Sequence, residues 1–140
     1  MDAEGSELNA PLVLRLHPGD DLRAAIEAAV AAAGCEAAFV VAGIGSLAQT
    51  RLRLAGADDA MTIAGDVEIL TLAGSASPRA SHLHASVSDA SGRVWGGHVS
   101  PGCMVRTTAE LVIALLPALA FTRERDEVTG YDELVVRAAT

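Results

Sequence analysis

Lysine is absent from this sequence of 140 residues, and aromatic side chains are scarce, with one Trp, one Tyr and two Phe. All ten basic residues are arginines, and 18 acidic residues bring the formal net charge to -8. Because such a chain repels a phosphate backbone, the composition argues against general nucleic-acid binding. The 28 alanines indicate a core of small side chains, built mostly from Leu, Val and Ala, in which backbones approach closely.

Cysteine and long apolar runs are scarce as well. Cys35 and Cys103 lie far apart and form no C-x-x-C motif, which argues against a disulfide framework and a cysteine zinc site. We expect both to be buried as small apolar side chains. No apolar run is long enough to span a bilayer, and residues 1–9 are acidic, without the pattern of a secretion signal. The sequence therefore predicts a cytoplasmic protein with no membrane partner.

The rest of the composition favours one domain. Apolar residues make up 51% of the chain, and a chain of this length suits one core better than two. No internal repeat, low-complexity linker or charge block marks a boundary. We therefore predict one domain over residues 11–137, preceded by a disordered or frayed stretch at residues 1–10. The last few residues, 137–140, are expected to be frayed.

One segment has the spacing of an amphipathic helix. Leu22, Ile26 and Val30 recur every four residues and would share one buried face. Residues 20–21 are both Asp, which can accept hydrogen bonds from the first turn, and Gly34 can end the helix. We predict one main helix near the N-terminus.

Alternating or short apolar runs bounded by turn residues are typical of strands. They occur at residues 12–16, 39–42, 47–54, 67–72, 81–88, 93–99 and 104–116. The Ala and Leu content of the last segment also allows a helix, but its β-branched residues favour a strand. Residues 43–46 and 55–65 are interpreted as a turn and a loop. The pattern predicts a single α+β domain with a mostly antiparallel sheet.

The histidines carry the clearest chemical signal. His82 and His84 are separated by one residue on a predicted strand, so both side chains leave the same face. If residues 90–92 form a three-residue loop with Gly92 in the left-handed conformation, His84 pairs with His98 on the next strand. All three rings then share one face. A symmetric four-residue loop would instead turn His98 to the opposite face, and the glycine at the end of the loop favours the first register.

Three neutral imidazoles on one face are ligands for a divalent metal ion. Zinc held by three histidines at about 2.0 to 2.1 Å keeps one coordination position open. Histidine donors favour zinc, although nickel, copper and iron also accept them. Arg106 and Glu110 are candidate catalytic residues, the arginine to hold a carboxylate or phosphate and the glutamate to move a proton. Gly96 and Gly97 leave room for a ligand or another chain.

Simpler interpretations stay open beside these. The histidine pair can be the polar, solvent-facing side of a half-buried sheet, and Arg106 with Glu110 can be an ordinary ion pair. The glycines of residues 43–45 form a tight turn more often than a phosphate cradle. His17, beside a proline, is expected at the surface, and Trp95 is expected in core or interface packing.

Several short motifs between residues 15 and 110 carry a resemblance that extends over approximately residues 15–136, nearly the whole chain. They are Arg15-Leu16 with Gly19-Asp20-Asp21-Leu22, Gly43-Ile44-Gly45-Ser46, Glu68-Ile69-Leu70-Thr71-Leu72, His82-Leu83-His84, Gly92-Arg93-Val94-Trp95-Gly96-Gly97-His98 and Thr108-Ala109-Glu110. On this combination the chain resembles the plants and prokaryotes conserved (PPC) domain family.

The resemblance implies an α+β domain that assembles as a homotrimer. As in many prokaryotic members, it implies a metal held by His82, His84 and His98. The fold is also similar to that of zinc-dependent acetolactate decarboxylase, which implies that any activity is that of a metal-dependent lyase or hydrolase. Plant members carry a short basic AT-hook that enters the minor groove, and this sequence has no such segment. Nucleic acid is therefore a doubtful partner.

Three functional hypotheses follow from the residues and the resemblance. In the first, a trimeric metal-binding domain binds or transforms a small anionic molecule at the three histidines. In the second, the chain is a DNA-associated regulatory or assembly module without its own AT-hook. In the third, the metal is structural and staples a trimer. A DNA retention assay at rising salt separates the first two hypotheses.

Overall fold

The computed structural model describes residues 11–140, so the expectation for residues 1–10 lies outside the described part. Within it the chain forms one helix and nine strands. They are β1 (Leu12–Leu16), α1 (Leu22–Ala32), β2 (Ala38–Arg53), β3 (Met61–Ile63), β4 (Val67–Ala76), β5 (Ser81–Asp89), β6 (Val94–Val99), β7 (Met104–Leu115), β8 (Leu119–Arg125) and β9 (Asp132–Ala138). All pairings between these strands are antiparallel, which confirms the predicted class.

Helix α1 begins and ends where its sequence predicts. The Asp21 carboxylate accepts a hydrogen bond from the Ala24 backbone N–H at 3.0 Å, which satisfies a free donor of the first turn. Leu22, Ile26 and Val30 are fully buried, so the apolar stripe covers one side of the sheet. Across residues 11–140, no helix has the length and apolar character needed to cross a membrane.

The larger sheet has the strand order β1-β7-β2-β4-β5-β6. Strand β6 also returns to the far end of β2, where Leu52 pairs with Val99 and Arg53 pairs with His98. Strands β2, β4, β5 and β6 therefore close on one another around buried side chains such as Leu52 and Leu83. This closure places the end of β2 beside the histidine hairpin.

Residues 43–46 do not form a turn, which corrects the sequence interpretation. Strand β2 runs through them without a break, and its register against β7 shifts on both sides of the glycines. A Cβ atom on Gly45 would overlap the Thr108 backbone oxygen. The glycines therefore allow two strands to approach closely at a bulge, and the chain does not reverse there.

Most of the other predicted strands are confirmed, with two changes. The segment 104–116 is the strand β7 and not a helix. Residues 55–65, interpreted as a loop, contain the short strand β3, which pairs with the end of β2. The strand predicted at 67–72 continues to Ala76, because Gly74 lies within it and pairs with Leu83.

The chain ends in a hairpin of β8 and β9 that the sequence pattern did not predict. The Phe121 ring is buried and meets the Phe39 ring edge-on, with 5.9 Å between the ring centroids. Arg123 Nη2 donates a hydrogen bond to the Ser75 hydroxyl oxygen at 2.7 Å. Strand β9 extends to Ala138, so the expectation that the chain frays from residue 137 onward is wrong for residues 137 and 138. The two contacts fasten the hairpin to β2 and β4.

Candidate metal centre

The β5–β6 hairpin has the three-residue loop that the sequence favoured. The backbone N–H of Asp89 donates to the Arg93 carbonyl at 2.9 Å, and Gly92 has a φ of 80°, in the left-handed region. Residues 90–92 thus form the loop, and His84 lies directly opposite His98. The predicted register is confirmed, and the alternative four-residue loop is excluded.

The Asp89 carboxylate holds this loop together. Its Oδ1 atom accepts hydrogen bonds from the Ser91 hydroxyl at 2.7 Å and from the backbone N–H groups of Ser91 and Arg93 at 3.0 and 2.9 Å. Its Oδ2 atom accepts from the Trp95 indole at 3.3 Å. The bond from Ser91 is the main cause that lowers the pKa of Asp89 to about 2. Trp95 packs against the core, as expected.

The three histidine rings converge on one another. Nε2 of His82 lies 3.1 Å from Nε2 of His84 and 3.2 Å from Nδ1 of His98. The ligand atoms of all three lie within 4.8 Å of one another. A tetrahedral zinc ion with bonds of 2.0 to 2.1 Å needs ligand nitrogens about 3.3 Å apart. The two short distances are close to that spacing, so the residues fit a divalent ion.

Hydrogen bonding alone does not account for this convergence well. A neutral imidazole nitrogen carries either one proton or one lone pair, so Nε2 of His82 cannot form two good hydrogen bonds to the nitrogens of His84 and His98. The ring planes of His82 and His84 cross at 83°, and those of His84 and His98 at 90°. One cation among the three nitrogens would use every lone pair at once.

The surroundings favour the neutral form of two of these rings. Burial is the main cause that lowers the pKa of His82, followed by the positive charge of Arg123. Burial also lowers the pKa of His98, followed by the charge of Arg53. Because a metal binds the neutral imidazole, lower pKa values keep these two rings ready for a ligand role near neutral pH.

Two cavities adjoin the histidines. The first has a volume of about 480 Å³, and the second about 430 Å³. Both are lined by His82, Arg123 and Glu133. Arg53 and His98 line the first cavity, together with Ala55, Gly56, Ser81, Tyr131 and Asp132. The C-terminal hairpin thus supplies one wall of the space beside the histidines.

Arg106 and Glu110 are not brought to the histidines. Arg106 Nε forms an ion pair with Asp66 Oδ2 at 3.1 Å and lines a separate surface cavity. Glu110 is exposed on β7, opposite Arg15 of β1. Neither residue lines the two cavities beside the rings. Both side chains lie on the outer face of β7, whereas the histidines lie on β5 and β6, on the other side of β4 in the sheet.

The charged residues that do line the cavities are Arg53, Arg123, Asp132 and Glu133, which the sequence pattern did not indicate. Arg53 reaches the site because it pairs with His98 across the closure of the sheet. A Cβ atom on Gly97 would lie 2.7 Å from the Arg53 backbone oxygen, so this glycine makes room for β2. Gly96 has no such contact, since its nearest neighbour would lie at 3.6 Å. At Gly97, the space predicted for a ligand or another chain is therefore occupied by strand β2 of the same chain.

Comparison with known proteins places this architecture in a family. The model of the Plants and Prokaryotes Conserved (PCC) domain matches residues 3–117. A bifunctional protein GlmU from Synechococcus sp. (strain JA-2-3B'a(2-13)) is 44% identical over 124 residues, which is 89% of this chain and 20% of that protein. The chain thus spans about a fifth of the length of this curated relative.

Solved structures share the fold. A hypothetical protein from Salmonella cholerae-suis is 39% identical, with a TM-score of 0.87 over 96% of this chain and 100% of the other. A metal-containing protein from Archaeoglobus fulgidus is 26% identical, with a TM-score of 0.76 over 96% and 99%. A candidate DNA-binding protein from Bacteroides thetaiotaomicron, 18% identical with a TM-score of 0.78 over 93% and 94%, shows likeness of fold alone.

The family model covers most of the chain and includes the strands that carry the three histidines. The hairpin of β8 and β9 lies after the matched residues. The chain belongs to the Plants and Prokaryotes Conserved domain family.

Proposed function

We propose that His82, His84 and His98 bind one divalent metal ion, with zinc preferred, and that the bound ion is open to a small anionic ligand in the adjoining cavity. The observation that carries this proposal is the convergence of three ring nitrogens, two pairs of which lie 3.1 and 3.2 Å apart. A bound ion of this kind can polarise a carbonyl group or activate a water molecule. The metal-containing relative from Archaeoglobus fulgidus supports the presence of a metal.

The test is the metal content of purified protein after incubation with zinc, measured by elemental analysis. We expect about one zinc per chain in the wild type and a marked loss in the His84→Ala variant. His17→Ala is the matched control, because His17 is exposed and is not one of the converging histidines. Equal zinc content in His84→Ala and His17→Ala would remove His84 from the ligand set and refute the proposal.

We also propose that the chain assembles as a homotrimer. Large apolar side chains on the outer surface of the sheet support self-association, among them Val13 at 70%, Val41 at 59% and Ile44 at 55% exposure. Light scattering measures the mass in solution. We expect the mass of three chains, and the mass of a single chain would refute the trimer. Adding a chelator then separates the two roles of the metal. Dissociation of the trimer would favour a structural staple, whereas an intact trimer would favour a ligand-binding centre.

DNA binding is the second candidate function, favoured by the fold shared with the candidate DNA-binding protein from Bacteroides thetaiotaomicron. The net charge of -8 argues against it. Retention on duplex DNA at rising salt is the test. A salt slope that requires several phosphate contacts would favour the DNA-associated module, and loss of retention at low salt would favour the small ligand.

A further inference from the structure

Two arginines from different parts of the chain lie beside the histidines. Arg53 comes from the end of β2 and Arg123 from β8 of the C-terminal hairpin. Both are half-buried, and both line the cavity of about 480 Å³ that His82 and His98 also line. A cavity of this volume is in the range that accommodates small molecules.

Neither arginine has an acidic partner in the part of the chain that the structure describes. Within residues 11–140 no carboxylate oxygen lies within 4.0 Å of either guanidinium group, whereas four other arginines form ion pairs, namely Arg23, Arg79, Arg106 and Arg137. Arg53 Nη1 donates to the Ala57 carbonyl at 3.1 Å, and Arg123 Nη2 donates to the Ser75 hydroxyl at 2.7 Å. These bonds use one nitrogen of each group, and a guanidinium has five N–H donors.

We propose that Arg53 and Arg123 form an anion-binding subsite for the carboxylate or phosphate group of a small molecule whose other end reaches the histidines. This inference rests on the proposed function, because the subsite would hold one end of a ligand whose other end meets the proposed metal ion. The planar donors of arginine match the paired oxygens of these two groups, and half-burial strengthens such charged hydrogen bonds.

The same cavity also carries two acidic side chains, which limit the charge of the ligand. Tyr131, Asp132 and Glu133 line it together with Arg53 and Arg123, and Glu133 Oε1 accepts a hydrogen bond from the Thr129 hydroxyl at 3.1 Å. Two carboxylates there would repel a polyanion such as a nucleic acid or a nucleoside triphosphate. The subsite therefore selects a small molecule with one anionic group. Arg123 and Glu133 both lie after residue 117, so this selectivity comes from the hairpin beyond the family match.

Isothermal titration calorimetry with inorganic phosphate and with pyruvate tests the subsite, since the two probes separate a phosphate from a carboxylate. Each probe is titrated into cobalt-loaded and into metal-free protein. We expect Arg53→Gln and Arg123→Gln each to weaken binding of the preferred probe at least tenfold in the loaded protein. Metal content should equal that of the wild type in both variants. Arg106→Gln is the control, because Arg106 lines a separate cavity with Asp66.

The outcomes separate the two proposals. Wild-type affinity for both probes in the Arg53 and Arg123 variants would overturn the subsite, even if cobalt binds at the histidines. If the wild type takes up neither zinc nor cobalt, the proposed function fails, and the titration of metal-free protein still decides the subsite through its dependence on the two arginines. Arg123→Lys keeps the charge and a donor toward Ser75, so it should retain more affinity than Arg123→Gln. Equal loss in the two would show that the positive charge at position 123 does not contribute to anion binding and would refute its role toward the anion.

Discussion

Gly97→Ala should damage the proposed metal centre without altering any of the three proposed ligands. The added Cβ atom would lie 2.7 Å from the Arg53 backbone oxygen, so β6 and β2 must separate by roughly 0.7 Å to reach ordinary van der Waals contact. Overpacking of this kind costs about 1 to 3 kcal/mol. For a chain of this size we expect the Tm to fall by roughly 3 to 10 °C. The displaced residue next to Gly97 is His98, one of the three converging histidines.

Because His98 moves with β6, we expect zinc affinity to fall about tenfold, as is common when the support of a metal ligand is disturbed. Differential scanning calorimetry of metal-free protein measures the Tm, and competition with a fluorescent chelator measures the affinity. Gly96→Ala is the matched control, since its Cβ would meet the Ala85 oxygen at an ordinary 3.6 Å. If the two variants have equal Tm values and zinc affinities, the close packing of β2 and β6 does not position the site.

Two further predictions concern protonation and the hairpin loop. Burial lowers the pKa of His82 and His98 below 6.5, so at mildly acidic pH these residues bind protons more readily in the unfolded chain than in the folded one. The free energy of unfolding of metal-free protein, measured by urea titration, should therefore fall as the pH drops below 6.5. A dependence on pH that persists unchanged in the His82→Ala, His98→Ala double variant would contradict this assignment. Asp89→Ala removes the carboxylate that bonds Ser91, Arg93 and Trp95, so both the Tm and the zinc affinity should fall. Because the pKa of Asp89 is about 2, the stabilising effect of its carboxylate should persist above pH 3.8 and disappear as the pH falls through about 2. An Asp89→Ala protein with wild-type zinc affinity would show that the loop does not set the register.

The parts of the fold that sequence predicted correctly are governed by local chemistry. Helix α1 follows from the spacing of Leu22, Ile26 and Val30 and from a capping Asp21. The pairing of His84 with His98 follows from a three-residue loop that ends in glycine, because loop length fixes the register of a hairpin. These features need only the residues within one or two elements, so the pattern contains enough information to determine them.

The parts that sequence missed depend on contacts between distant segments. The glycines at positions 43 and 45 have the composition of a turn, and only the close approach of β7 shows why they lie within a strand. The pairing of Arg53 with His98 joins residues on strands that are not neighbours along the chain. Arg106 and Glu110 share one face of a predicted strand, which makes them candidate catalytic residues, but the sheet order separates them from the histidines. Three ligand candidates were therefore predictable, while the charged residues around them were not.

The two arginines and two carboxylates that line the larger cavity give it no formal net charge, whereas the whole chain carries -8. Fixed carboxylates on remote surfaces act weakly at the histidines, because charges more than about 8 Å away are largely screened at physiological ionic strength. Arg53 and Arg123 act at short range and without an acidic partner within residues 11–140. A long polyanion must cross the acidic surface and meets its repulsion at many points, whereas a small anion meets only the cavity. A net charge of -8 therefore argues against nucleic acid and is compatible with an anion site beside the histidines.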